Sequence, residues 1–199
     1  MSGLDDLKAE YKGCCRCREL CQNRTNVVFG VGEPDKAKIL IIGEAPGKQE
    51  DLQNEPFVGR SGQVLTELLM EVGLSRTDVY ITNTILCRPP NNRDPTREEL
   101  DNCSDRLARQ IRLIAPSVVV TLGNFATRYM LQTKKGITAL HGRPQHKDSM
   151  TIIPMFHPAV LLYSGNNPEK RAQLLDDFKV AKQLLDGGAS GQGTLNSFM

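Results

Sequence analysis

Four short apolar runs set the rhythm of this chain: Ile39 to Gly43, Val79 to Ile85, Val118 to Leu122 and Thr151 to Phe156. Three are nearly continuous in Ile, Val and Leu, the composition of parallel strands buried on both faces. Between and after them the apolar positions change to helical spacing. Leu65, Leu68, Leu69 and Val72 share one face of a helix predicted over Ser61 to Val72, with Gly73 as its stop signal. Thr96-Arg97-Glu98-Glu99 is a capping-box pattern that opens a helix running to Ile114. A shorter helix is predicted over Asn124 to Leu131. Leu174, Leu175, Phe178, Ala181 and Leu185 give a closing helix over Pro168 to Leu185. Strand–helix alternation of this kind predicts a three-layer α/β/α sandwich around a mostly parallel four-stranded sheet. One domain over residues 1–186 is expected, followed by a tail, 187–199, whose Gly-rich stretch has no apolar period and reads as disordered.

Ligands in such sheets bind beyond the carboxyl ends of the strands, and the chain's polar singularities fall there. The first strand runs into Gly43-Glu44-Ala45-Pro46-Gly47-Lys48-Gln49-Glu50-Asp51, a tight loop with exposed N–H groups. No Gly-Lys-Ser/Thr follows, so it is no Walker loop, and it lacks the dinucleotide fingerprint. Alone it reads as a strand-to-helix connection. Phe57 follows in Pro56-Phe57-Val58-Gly59, where an aromatic ring can serve either the core or a stacking face. Asn83 ends an apolar strand, an unfavourable place for an amide unless something engages its two donors and its acceptor; capping a neighbouring loop is the competing reading. His157 ends the fourth strand, and Pro158 fixes the chain behind it. A histidine there can donate a hydrogen bond to a carbonyl that gains negative charge.

Composition narrows the setting. Of 199 residues, 39% are hydrophobic and 24% charged, ordinary for a globular protein, and the net charge of +2 does not by itself announce a nucleic-acid binder. No apolar run approaches membrane-spanning length, and the polar, acidic N-terminus is no secretory signal, so a cytoplasmic protein is expected. Reducing surroundings make disulfides unexpected for the six cysteines and favour a metal site. Cys14 and Cys17 form a C-x-x-C, with Cys87 and Cys103 far along the chain. Four thiolates can hold zinc or a [4Fe–4S] cluster, and spacing does not separate the two. Cys15 and Cys21 are left over, and pairings of Cys17 with either stay open.

Together these pieces resemble the family 4, iron–sulfur type, uracil-DNA glycosylases. The matching segments are Gly43-Glu44-Ala45-Pro46-Gly47 with Glu50-Asp51, Pro56-Phe57-Val58-Gly59, Ile81-Thr82-Asn83, Cys87-Arg88-Pro89-Pro90-Asn91-Asn92-Arg93 and His157-Pro158-Ala159. Their order and spacing also look like the family's, and the likeness covers nearly everything from Cys14 to Leu185. The resemblance implies a [4Fe–4S] cluster on Cys14, Cys17, Cys87 and Cys103, structural in role. It implies that Phe57 stacks on a flipped uracil, that Asn83 reads its Watson–Crick edge and that His157 faces O2. Glu44, Ala45 and Glu50 would complete the pocket.

Relatives of family 1 carry an Asp where this chain has Ala45, which leaves Glu44 and Glu50 as candidates to orient water. A branch that traps DNA covalently uses a histidine in an inserted loop; residues 87–103 contain neither. Hydrolysis with turnover is therefore expected, and, with no motif lysine to form a Schiff base, no strand cleavage. The implied partner is uracil-containing DNA, single-stranded or with a U·G pair, bound by a monomer; a sliding clamp is a partner to test that no motif identifies. Arg60, Arg88, Arg93 and Ser164-Gly165-Asn166-Asn167 are candidate backbone contacts. The rival readings are a non-catalytic iron–sulfur module that binds nucleic acid, an electron-transfer protein and a zinc protein.

Overall fold

Apolar side chains on both faces of each central strand force helices onto both sides of the sheet. The structure is a computed structural model that describes residues 3–148 and 150–190. Helices α1 (Gly3–Tyr11) and α2 (Arg18–Asn23) precede strand β1 (Ile39–Gly43). Then follow α3 (Lys48–Gln53), α4 (Arg60–Glu71), β2 (Val79–Asn83), a 3-10 turn over Pro90–Asn92 and α5 (Arg97–Ile114). The remainder is β3 (Val118–Leu122), α6 (Gly123–Leu131), α7 (Ile137–Leu140), β4 (Gln145–Lys147), β5 (Met150–Met155), α8 (Ala159–Tyr163) and α9 (Pro168–Ser190).

Among the described residues the sheet has five strands in the order β2-β1-β3-β5-β4, not the four expected. β1, β2, β3 and β5 are parallel, and β4 pairs antiparallel with β5 at the edge. Gln145-His146-Lys147 escaped sequence reading because a three-residue polar edge strand carries no apolar signal. The β2 strand also stops at Asn83 rather than Ile85. The closing helix runs past the expected Leu185 to Ser190; beyond residue 190 the tail expectation lies outside the described residues. No helix among them is long and apolar enough to cross a membrane.

Strand alternation divides the core in two. Ile39 and Ile41 face Leu65, Leu68 and Leu69 of α4 and Leu174 and Phe178 of α9. Leu40 and Ile42 face Leu7 of α1, Leu107 of α5 and Ala126 of α6. Each fully buried leucine contributes roughly 1.5–3 kcal/mol. Gly73 follows the end of α4 in the left-handed region, and its N–H bonds the Met70 carbonyl. The Thr96–Glu99 capping box forms, with both reciprocal hydrogen bonds. These frames put the carboxyl ends of β2, β1, β3 and β5 along one edge of the sheet.

Candidate functional site

Those strand ends surround a cavity of about 390 Å³. Glu44, Ala45, Glu50, Phe57, Asn83 and His157 all line it, together with Ser61, Asn92 and Tyr163. Tyr163 was not singled out from the sequence; it is 89% exposed on this wall, and an exposed aromatic residue has no sequence signature.

Phe57 is held in an unusual conformation. Its φ of 55° is left-handed, sparsely populated for a bulky residue and costing of order 1–3 kcal/mol. Two side chains hold the turn. Glu50 Oε1 accepts from the Val58 and Gly59 N–H groups at 3.1 and 2.8 Å. Arg76 donates to the Pro56 and Phe57 carbonyls at 3.0 and 3.2 Å. Helix α4 can approach only because Gly62 has no side chain: a Cβ there would lie 1.8 Å from the Phe57 carbonyl oxygen. The ring then faces His157 with centroids 5.6 Å apart.

Asn83 is 2% exposed and lines the cavity, and no group among the described residues hydrogen-bonds its carboxamide. Gly43 makes room for it, since a Cβ there would meet Asn83 Oδ1 at 2.4 Å and the Phe57 ring at 2.8 Å. His157 Nδ1 accepts from the Ala159 N–H at 3.1 Å. That bond assigns the neutral tautomer with its hydrogen on Nε2. Burial pushes the pKa down to about 4, with the nearby Glu50 opposing, so the ring is a neutral donor at physiological pH.

The two candidate acids differ. Glu44 is half-buried, and no described residue hydrogen-bonds its carboxylate. Burial, and then the charge of Asp94, push its pKa up to about 7. It also lines an adjoining cavity with Asp94, Phe125, Arg128 and His157. Glu50 is occupied by the Phe57 turn, an occupation the sequence did not reveal. Asp51, one residue on, is buried and accepts from the Thr25 and Asn26 N–H groups at 2.9 and 3.0 Å, tying the loop to the cysteine-bearing segment.

That segment forms a second centre. Cys14, Cys17, Cys87 and Cys103 surround one small cavity, walled otherwise by apolar side chains, arginines and Asn102. Asn102 donates to Cys17 Sγ at 3.4 Å and Arg24 to Cys87 Sγ at 3.1 Å. Burial pushes the Cys87 thiol up to about 11 and raises that of Cys17. Among the described residues no three Cys, His, Asp or Glu side chains converge on a single ion. Cys15 and Cys21 pair as a disulfide, Cα atoms 5.2 Å apart, against the expectation of free thiols. The turn that opens α2 brings Cys21 back over Cys15, which leaves the other four cysteines as the free set.

Of the expected backbone contacts, Arg93 is already engaged. It donates to Glu99 at 2.7 and 3.0 Å and to Glu19 at 2.7 Å. Asn167 Oδ1 accepts from the Lys170 N–H in the first turn of α9. Arg88 bonds Asn92 at 2.7 Å. Arg60, Ser164, Gly165 and Asn166 are exposed.

Residues 29–179 match the family model of the Uracil DNA glycosylase superfamily. The chain is 43% identical to a type-4 uracil-DNA glycosylase of Archaeoglobus fulgidus over 92% of its own length and 94% of the relative's. It is 46% identical to the type-4 enzyme of Thermotoga maritima over the same two shares. The type-4 enzyme of Saccharolobus solfataricus is 40% identical over 100% of this chain and 93% of its own.

Proposed function

The chain belongs to the uracil-DNA glycosylase superfamily and to its type-4 members, and we propose that it cleaves the N-glycosidic bond of deoxyuridine in DNA with the pocket at the ends of β1, β2 and β5. The observation that carries this reading is the carboxamide of Asn83: set on a 2%-exposed residue that lines the cavity, hydrogen-bonded by no described residue, beside a ring pair and a neutral imidazole donor. Once a ligand closes the cavity, an amide that neither water nor the ligand engages costs about 1–3 kcal/mol. A uracil edge offers both the carbonyl and the N–H that a single carboxamide needs.

The target nucleotide must leave the stack, at a cost of a few kcal/mol that is least for a mispaired base. Phe57 stacks on the flipped base and Asn83 reads its edge. Stretching the N-glycosidic bond builds negative charge on the base and positive charge on the sugar. The His157 Nε2–H faces uracil O2 and stabilises the anion in a water-poor site. Glu44, whose carboxylate no described residue hydrogen-bonds, orients the attacking water and sits near the cationic sugar. Ala45 and Glu50 complete the wall, Glu50 through the Phe57 turn. The products are uracil and an abasic site. The partner is DNA, bound by a monomer, in a cytoplasmic setting; Arg60 and residues 163–166 are exposed groups for the backbone.

Cys14, Cys17, Cys87 and Cys103 would hold a [4Fe–4S] cluster. The fit rests on their arrangement around a void rather than a point, as one thiolate per iron requires, and on the donors that face their sulfurs. When bound, the cluster supplies iron–thiolate cross-links between three segments distant in sequence.

The decisive measurement is release of free uracil from single-stranded and U·G oligonucleotides, with Asn83→Ala as control. Intact DNA at high enzyme concentration, or equal release by the control, overturns the reading.

A further inference from the structure

Arg106 is the only buried Arg or Lys among the described residues, at 0% exposure. Its partners are unusual for a buried cation, because none of them is a carboxylate. Nη2 donates to the carbonyls of Asn83 and Thr84 at 3.0 and 2.8 Å. Nη1 donates to Gln110 Oε1 at 2.7 Å and to Thr82 Oγ1 at 3.3 Å. Its Nε is the only buried side-chain nitrogen or oxygen among the described residues without a partner. Helical spacing puts Cys103 one turn back on the same face of α5. A buried guanidinium is expensive to keep, and removing partners from it costs several kcal/mol. The fold retains it at the point where β2 leaves the sheet.

We infer that Arg106 is a positioning residue for base recognition: its guanidinium locks the Asn83–Thr84 backbone against the helix that carries Cys103, so that the cysteine centre and the reading amide move as one body. Two successive carbonyls held by one nitrogen fix the peptide planes on the exit side of Asn83, and with them the direction of its side chain. The same segment holds the first loop, since Thr84 Oγ1 donates to the Glu44 carbonyl at 2.5 Å. Gln110 completes the lock, as its amide donates to the Phe29 carbonyl at 3.0 Å while its oxygen orients Arg106. The planar guanidinium engages the carbonyl pair through Nη2 and Gln110 and Thr82 through Nη1, a two-sided grip that a lysine ammonium does not reproduce. This inference rests on the reading of Asn83 as the uracil-recognising group.

The test uses full-length protein as purified, with Arg106→Lys, Asn83→Ala and the double variant. Uracil release, inhibition by free uracil, iron content and visible absorption are measured on each. Arg106→Lys should keep its iron and lose roughly ten- to a hundredfold in kcat/KM, with free uracil bound more weakly by a similar factor. On the Asn83→Ala background the same change should cost no more than about twofold, because the two residues act through one contact. Gln110→Met should give a smaller loss of the same kind and serves if Arg106→Lys is insoluble. Equal losses on both backgrounds, or unchanged uracil affinity in the single variants, would overturn the role of Arg106. Normal uracil release by Asn83→Ala would instead overturn the recognition reading beneath it, a separate result.

Discussion

Asn83 and Cys87 lie four residues apart at the exit of one strand, yet the two corners they serve are built in opposite ways. At the pocket, polar groups open into the cavity and no described residue hydrogen-bonds them: the Asn83 carboxamide, the His157 Nε2–H and the Glu44 carboxylate. At the cysteine corner, sulfurs are met by donors from Asn102 and Arg24 and walled by apolar side chains. The first arrangement adds little to the fold and is open to a ligand; the second is a structural knot. Substitution at the pocket should therefore cost activity and spare stability, and substitution at the cysteine corner should cost stability first.

The largest effect falls on Asn83. Asn83→Ala should lose on the order of a thousandfold in uracil release, the scale of removing a well-placed polar contact from a closed site. Its melting temperature should stay level or rise, because no protein hydrogen bond disappears. A large drop in melting temperature would mean that Asn83 holds the fold together, and the contrast between the corners would collapse.

Glu44 comes next. Glu44→Gln should cost on the order of a hundredfold in kcat/KM if the carboxylate orients water. In the parent enzyme, kcat/KM should rise with pH through about 7 as Glu44 ionises; the variant should lack that limb. The stability sign is opposite. The folded pKa lies above the unfolded one, so ionisation favours unfolding, and this penalty grows as pH rises from about 4.5 to 7. Glu44→Gln should therefore melt higher than the parent above pH 7 and equally below about pH 4. His157 has its pKa lowered, so its contribution to stability is full above about 6.5 and is lost as pH falls toward 4. An unchanged pH–rate profile in Glu44→Gln would remove Glu44 from the chemistry.

At the other corner, Cys87→Ser should release iron and lower the melting temperature by about 5 °C or more, the scale of losing one to three kcal/mol. Uracil release at permissive temperature should fall only about tenfold, through loosening of the β2 exit. An iron-free protein that melts normally would show that the knot is not structural.

The division between legible and hidden features follows the same line. The four parallel strands and helices α4, α5, α6 and α9 were readable because apolar periodicity reports burial. Asn83 stood out as an amide at the end of an apolar strand and His157 by its place at a strand end, while the stacking role of Phe57 came from the family resemblance. What holds them did not. Arg76 and Arg106 satisfy main-chain carbonyls, Glu50 and Asp51 satisfy main-chain N–H groups, and neither service leaves a period or a motif. Arg93 looked free for phosphate because an ion pair to Glu19, 74 positions away, is invisible along the chain. The edge strand over Gln145–Lys147 is too short and polar to announce itself.

Glu50 gives the smallest and sharpest test, because it stands between the two corners in kind. It lines the pocket as a reactive group would, yet its Oε1 is committed to two N–H groups, as a structural group's would be. Glu50→Gln keeps an acceptor oxygen and removes the charge; Glu50→Ala removes both. If Glu50 holds the Phe57 turn, Gln should stay within about threefold of the parent while Ala loses roughly thirtyfold, the cost of one or two hydrogen bonds to a charged acceptor. The Ala loss should appear in KM more than in kcat, since a loosened Phe57 weakens stacking on the base before it touches bond cleavage. If Glu50 instead activates water, Gln and Ala should fall together in kcat by a hundredfold or more. A carboxylate doing that work cannot be replaced by an amide, whereas a carboxylate that merely accepts two N–H bonds can, and the Gln variant separates these cases without disturbing the left-handed turn at Phe57.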